Sequence, residues 1–260
     1  MKLCFSTLGC SNYSLDEVLT LAKNFNIDAV ELRGLNDRIE LCDIPELAAE
    51  NADSTRAAFE KHGIELAVLG SSCRLHNRDT HADAALAVDM ASRLGVPFVR
   101  VFGDRFKPDR ETATQTAIEG LRALCAAAEG KNVSVLLEIH GQFCNKAALE
   151  PIIDAVGSYR SFGIIWDVAH SDADYGENWR EFYTFIAPYV RHVHIKDHLR
   201  ADGRLTLPGE GDLPLAEIAR ALDAEGYIGA FSLEWEKKWH PEIGNIEPAL
   251  DKIKKLLAEV

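Results

Sequence analysis

The sequence predicts an α/β fold, a single (β/α)8 TIM barrel, and three observations carry that expectation. Strand-like apolar segments alternate with amphipathic helical segments along the chain, which implies a parallel sheet. The 260 residues divide into eight units of roughly 32, the length of one strand plus one helix in a barrel of about 250 residues. Four times a helical pattern ends at or beside glycine and runs directly into an apolar strand: AAFEKHGIELAVL, MASRLGVPFVRVF, LCAAAEGKNVSVLLEI and ALDAEGYIGAFSLEW. Glycine takes the left-handed conformation that closes a helix, and a short connection then feeds the strand.

Strands are expected near 2–8, 27–32, 64–69, 96–102, 133–139, 162–168, 190–196 and 228–234. The intervening helices show apolar spacing of i, i+3, i+4, i+7, as in Leu15, Val18, Leu19, Ala22 and in Leu215, Ile218, Ala219, Leu222. Ser14 with Glu17 marks one helix start, and Asp212 before Pro214 marks another. No Pro/Ser-rich linker or charge block divides the chain, so residues 1–260 read as one domain. Eight units favour closure over an open doubly wound sheet, and no G-x-G-x-x-G follows the first strand.

Composition narrows the partners. Lys and Arg number 28 against 41 Asp and Glu, a formal charge of −13, which opposes binding to a phosphate backbone. An apolar content of 47% without low-complexity tracts excludes disorder. The start, MKLCFSTLGC, lacks the basic flank and long apolar stretch of a signal peptide, and no apolar run is long enough for a membrane span. A cytoplasmic protein without membrane or nucleic-acid partners is therefore expected. The six cysteines lie apart with no C-x-x-C pair, and read as reduced, half-buried small hydrophobes. Trp179, Phe182, Tyr183, Phe185, Tyr189 and Trp239 fit helix-to-barrel packing better than a homo-oligomer interface.

Alternation along strands then sorts the polar residues. In KNVSVLLEIH the Val133, Val135, Leu137, Ile139 set faces the helices, which turns Ser134, Leu136, Glu138 and His140 inward. In RHVHIKD the same rule turns His192, His194 and Lys196 inward. Asp167 shares parity with Gly163 and Ile165, and Glu234 with Ala230 and Ser232. The fifth to eighth strands thus deliver Glu138, Asp167, His194 and Glu234 to the C-terminal mouth, where barrels of this kind carry their chemistry. Three converging carboxylates need a compensating cation. With one imidazole they suit one divalent metal ion: Mn²⁺ first, then Co²⁺, Mg²⁺ or Zn²⁺. Arg33 and Arg100 also share inward parity, and Arg100, lying mid-strand, is expected to pair internally with Glu31.

The segments VELRGL, FVRVFGD, VLLEIHG, WDVAH, VRHVHIKD, PGEGD and SLEWE, running from Val30 to Glu236, resemble the sugar phosphate isomerase/epimerase group of the xylose-isomerase-like superfamily. That group includes ketose 3-epimerases, hydroxypyruvate isomerases and inosose dehydratases. The resemblance places the metal ligands on Glu138, Asp167, His194 and Glu234, a substrate-contacting histidine on His170, and a hydroxyl-holding arginine on Arg200. Cys144 occupies the place of a second glutamate of the epimerases. The DNA-repair relative endonuclease IV needs further metal ligands where RLTLPGEGD offers Leu and Thr.

The implied chemistry is proton transfer on a small-molecule carbohydrate through a metal-stabilised enediolate, with Glu138 and Glu234 as the acid/base pair. His170, Arg200, His140 and Lys196 are the candidate substrate contacts. Arg200, Arg204, Lys237 and Lys238 lie in the loops where a phosphate group would sit, which leaves phosphorylation of the sugar open. Two other readings stand beside this one: a dehydratase acting on a polyol ketone, and a non-catalytic sugar-binding barrel.

Overall fold

In the computed structural model, which describes residues 1–260, the first half of the chain runs β1 (Lys2–Ser6), α1 (Leu15–Asn24), β2 (Ala29–Leu32), α2 (Ala52–His62), β3 (Glu65–Arg74), α3 (His81–Leu94), β4 (Phe98–Asp104) and α4 (Arg110–Ala128). The second half runs β5 (Ser134–Gly141), α5 (Lys146–Val156), β6 (Phe162–Asp167), α6 (Val168–Tyr175), α7 (Trp179–Ile186), β7 (Val190–Ile195), β8 (Asp197–His198), β9 (Leu205–Thr206), α8 (Leu215–Ala224), β10 (Ala230–Leu233) and α9 (Glu247–Ala258). Strands β1 to β7 and β10 close a parallel barrel, with β10 between β7 and β1. All eight expected strands are present.

Gly63 and Gly95 take φ of 67° and 70° and close α2 and α3, as the glycine-to-strand pattern anticipates. Ser14 and Glu17 form a reciprocal capping box at α1. Asp212 does not cap α8: the helix starts after Pro214 without a side-chain cap, and Asp212 Oδ2 instead accepts from the Arg200 amide at 2.8 Å. Pro214 at the N-cap already fixes the entry and has no N–H that would need an acceptor.

Parity is visible in the packing. Leu136, Ile165, Cys4, Ala29, Ala67, Val68 and Ala230 form a small apolar plug inside the barrel. Leu137, Ile164, Trp166, Val193, Ile195, Phe231 and Leu233 belong to the large layer between barrel and helices. Each fully buried large side chain there contributes about 1.5–3 kcal/mol. Trp179, Phe182 and Tyr183 are buried in this layer, Tyr183 stacking on Trp166 at 5.0 Å between ring centroids; Phe185 and Tyr189 pack partly against it, whereas Trp239 is 54% exposed. Five cysteines are buried rather than half-buried, Cys42 alone is exposed, and all six are free. No helix is long and apolar enough to cross a membrane.

Strand β3 extends past the expected 64–69, through a register shift between Gly70 and Arg74. The antiparallel β8–β9 hairpin is unforeseen, because two-residue strands carry no periodicity to detect.

Candidate active site

The C-terminal ends of β5, β6, β7 and β10 place Glu138, Asp167, His194 and Glu234 together. One ligand atom from each lies within 4.8 Å of all the others, and all four residues are buried. Register accounts for part of this, since Asp167 and Ser232 both lie directly beside His194 on the neighbouring strands. Asp167 has a second task as the N-cap of α6: Oδ1 accepts from the His170 amide at 2.9 Å, leaving Oδ2 to face the cluster.

Two internal cations balance these acids. Arg100 Nε donates to Glu138 Oε2 at 2.6 Å and Nη2 pairs with the same oxygen. This corrects the expected Arg100–Glu31 pair: β4 and β5 are neighbours, and Phe102 beside Glu138 supports the guanidinium face at 4.3 Å. Lys196 Nζ donates to Asp167 Oδ2 at 2.9 Å, Glu234 Oε2 at 2.6 Å and Glu236 Oε1 at 2.7 Å. The lysine thus sits among the carboxylates, with its three donors occupied.

The charges shift accordingly. Burial opposes ionisation of Glu138, yet Arg100 and His194 hold its carboxyl well below the usual range. Burial likewise acts against Glu234, but Lys196 and His194 bring it down to about 2. Asp167 is the exception: burial, reinforced by repulsion from Glu234 and Glu138, outweighs Lys196 and raises it. Lys196 stays well above its ordinary value despite burial, because three carboxylates surround it.

Glu31, which sequence reasoning offered only as a partner for Arg100, belongs to His194 instead. Its Oε2 lies 2.7 Å from His194 Nε2 and 3.3 Å from His192 Nε2. His194 Nδ1 faces Glu138 Oε1 at 2.9 Å and Glu234 Oε1 at 3.7 Å. Alternation along RHVHI already turns His192 into this interior, and along VEL it gives Glu31 the inward parity of Arg33; the pairing of Glu31 with the two histidines is what alternation does not supply. Glu236, the third acid on Lys196, carries no such signal because it lies beyond the end of β10.

His140 and His170 lie side by side, 4.1 Å between ring centroids, with His140 Nδ1 and His170 Nε2 unpartnered. Burial keeps both imidazoles neutral, pulling each down to about 4. Arg200 makes no bond to the cluster and is forked onto Asp172 at 2.9 and 2.8 Å and onto Glu177 at 2.6 Å. Cys144 turns its Sγ toward Asp174 Oδ2, 3.4 Å away. A cavity of about 540 Å³ bounded by Phe98, Tyr227 and Ile228 lies at the other end of the barrel and contains none of the four clustered residues.

The four-residue cluster meets the requirements of a divalent-cation site. Three carboxylates and an imidazole give a mostly hard donor set, at a spacing one ion can span. Glu31 anchors the far nitrogen of the imidazole, the arrangement that orients histidine ligands.

Residues 19–256 match the family described as xylose isomerase-like TIM barrel. Fructoselysine 3-epimerase of Shigella flexneri is 25% identical over 156 residues, 57% of this chain and 56% of that protein. The chain therefore spans about half the length of this curated relative. Among solved structures, the probable 3-DHS dehydratase AsbF of Bacillus anthracis has a TM-score of 0.79 at 16% identity over 98% of both chains. The IOLI protein with a binding zinc atom has a TM-score of 0.78 at 22% identity, covering 100% of this chain and 97% of its own. At these identities the two structures establish a common fold. Taken with the closed barrel, the match over residues 19–256 shows that the chain belongs to the xylose isomerase-like TIM-barrel family.

Proposed function

We propose that the protein is a divalent-metal-dependent sugar isomerase or epimerase, with Glu138, Asp167, His194 and Glu234 as metal ligands and Glu138 and Glu234 as the acid/base pair. The observation that carries this reading is the buried four-residue cluster at the strand ends. A fructoselysine 3-epimerase among the relatives and zinc in the IOLI structure support it. The chemistry such an ion supplies is polarisation of a sugar carbonyl and its neighbouring hydroxyl, which acidifies the proton between them.

The chain's own residues do the rest. Glu138 on β5 and Glu234 just beyond β10 approach from different sides of the mouth and flank a bound sugar. Arg100 and Lys196 keep them ionised, so a proton acceptor is in place at neutral pH. One carboxylate takes the proton, and the electron pair moves to the carbonyl oxygen as an enediolate. Return of a proton to the opposite face of the same carbon gives the epimer, and return to the adjacent carbon gives the aldose/ketose isomer. His170 and His140, neutral and with free ring nitrogens, hold sugar hydroxyls.

The test is to strip the protein with a chelator, add back Mn²⁺, Co²⁺ or Mg²⁺, and follow solvent deuterium into a panel of ketoses and aldoses. Exchange should appear only with metal. Absence of exchange from every sugar, with no metal copurifying, would overturn the reading. Glu234→Gln should retain most of the metal affinity while nearly abolishing exchange.

A dehydratase reading is favoured by one observation. Cys144 stands where the resemblance expects a second epimerase glutamate, and it points to Asp174. The same proton removal followed by loss of a β-hydroxyl would then give an unsaturated ketone, which product analysis separates from an epimer.

A further inference from the structure

Arg33 is the one inward-facing cation of the barrel mouth that no acid of the chain claims. It lies just beyond β2, is 7% exposed, and makes one side-chain hydrogen bond, from Nη1 to the Ile39 carbonyl at 3.1 Å. Its Nε and Nη2 have no acceptor in the protein, whereas Arg100 is paired with Glu138, Lys196 with three carboxylates, and Arg200 with Asp172 and Glu177. The space for it is built in: a Cβ at residue 70 would come within 2.8 Å of Arg33 Cδ, and Gly70 removes that obstacle. Exposed Glu40, an acid whose charge acts on Arg33, is engaged by the Ser72 hydroxyl.

Leaving a buried guanidinium without a counter-ion is costly, and a second guanidinium nearby makes it more so. Burial and Arg100 together pull Arg33 down to about 10, the direction expected of a cation held in an unfavourable place. Strands β5, β6, β7 and β10 supply the carboxylate cluster, and β2 lies on the far side of the closed ring. A sugar whose carbonyl end sits on the cluster therefore extends toward Arg33.

We propose that Arg33 binds an anionic group, a carboxylate or a phosphate monoester, at the end of the substrate remote from the reacting carbons, so that the substrate is an acidic sugar. This rests on the isomerase/epimerase reading for the sugar part, but not for the anion. The two oxygens of either group match the two free guanidinium nitrogens.

The experiment uses metal-loaded wild type, Arg33→Met and Arg33→Lys, titrated calorimetrically with D-fructose, D-fructose 6-phosphate and 5-keto-D-gluconate. Wild type should bind one of the two acidic ketoses at least about tenfold more tightly than fructose, and which one identifies the anion. Arg33→Met should lose that preference while leaving affinity for fructose and Mn²⁺ within about twofold, and Arg33→Lys should retain part of it. Equal affinity of wild type for neutral and acidic ketoses, or a preference that survives in Arg33→Met, would overturn the proposal. Sulfate at matched ionic strength separates the anion site from the sugar reaction. A rise in Tm in wild type that is lost in Arg33→Met supports the site even where no ketose binds, and equal rises in both proteins refute it.

Discussion

Glu31 Oε2 lies 2.7 Å from His194 Nε2, and neither residue has contact with solvent worth counting. Without an ion, His194 is held cationic: burial acts against the charge, but Glu31 and Glu234 raise it well above its ordinary value. An ion held by the proposed ligands would replace the proton on Nδ1, and the Nε2–H would remain donated to Glu31. Glu31 is therefore a positioning residue that fixes the imidazole for the cluster. Glu31→Gln should keep the hydrogen bond but lose the charge, lowering Mn²⁺ affinity by roughly 10–100-fold. Chelator competition measures it, and an unchanged dissociation constant would remove Glu31 from the site.

Arg100 should matter most when no metal is bound. Arg100→Met leaves Glu138 buried with His194 as its nearest remaining cation. Breaking a buried pair from one side costs about 3 kcal/mol. Urea unfolding with and without Mn²⁺ gives the comparison: the loss should shrink in Mn²⁺, since an ion on Glu138 replaces the missing charge. The same loss under both conditions would mean that no cation binds against Glu138.

The barrel and the four clustered residues were legible because strand alternation is strictly periodic, and a closed parallel barrel converts that period into inside and outside. Leu136 against Leu137 and Ile165 against Ile164 divide as the rule requires. Pair identities were not legible. Alternation says that Arg100, Glu31, Glu138 and His194 all point inward, but which acid meets which base depends on strand adjacency, height along the barrel and rotamer. Glu138 on the neighbouring strand won Arg100, and Glu31 was left for the histidines of β7. Lys196 shows the same limit: its inward parity is right, while its three carboxylate partners are set by neighbouring strands that periodicity does not reveal.

Acidification should destabilise the metal-free protein through its buried neutral histidines. His140 and His170 are brought from 6.5 to about 4 by burial, and His192 is also lowered by burial. An unfolded chain binds these protons below its ordinary histidine pKa of 6.5 while the folded chain does not. Stability therefore falls as pH drops below that value. His194 runs the other way: protonated in the fold, it gains stability as pH falls through the ordinary histidine range and offsets part of the decline above about pH 6, and it adds no slope once the unfolded chain also holds that proton. Stability from urea unfolding should decline between about pH 6 and pH 5, by about 1 kcal/mol per pH unit for each histidine that charges only on unfolding. Replacing His140 with Gln should flatten the profile; an unaltered slope would show that His140 is protonated in the fold.

Asp197 organises the loop that carries Arg200. Its carboxylate is 1% exposed and accepts four backbone N–H groups: Gly209 at 2.8 Å and Gly211 at 3.0 Å on Oδ2, His198 at 3.0 Å and Leu213 at 3.2 Å on Oδ1. It thereby ties the β8–β9 hairpin to the start of α8, and a Cβ at Gly211 would overlap the carboxylate. Asp197→Asn turns one acceptor oxygen into a donor facing two N–H groups, which should cost about 2 kcal/mol. Because Arg200 reaches α6 from this loop, its grip on Asp172 should loosen as well. Hydrogen exchange at Gly209 and Gly211 should accelerate, with KM for the sugar rising more than kcat falls. Unchanged exchange at both amides would show that the loop is held by other contacts, and Gly211→Ala, which crowds the same carboxylate without removing its charge, should reproduce the faster exchange if the clasp is what orders it.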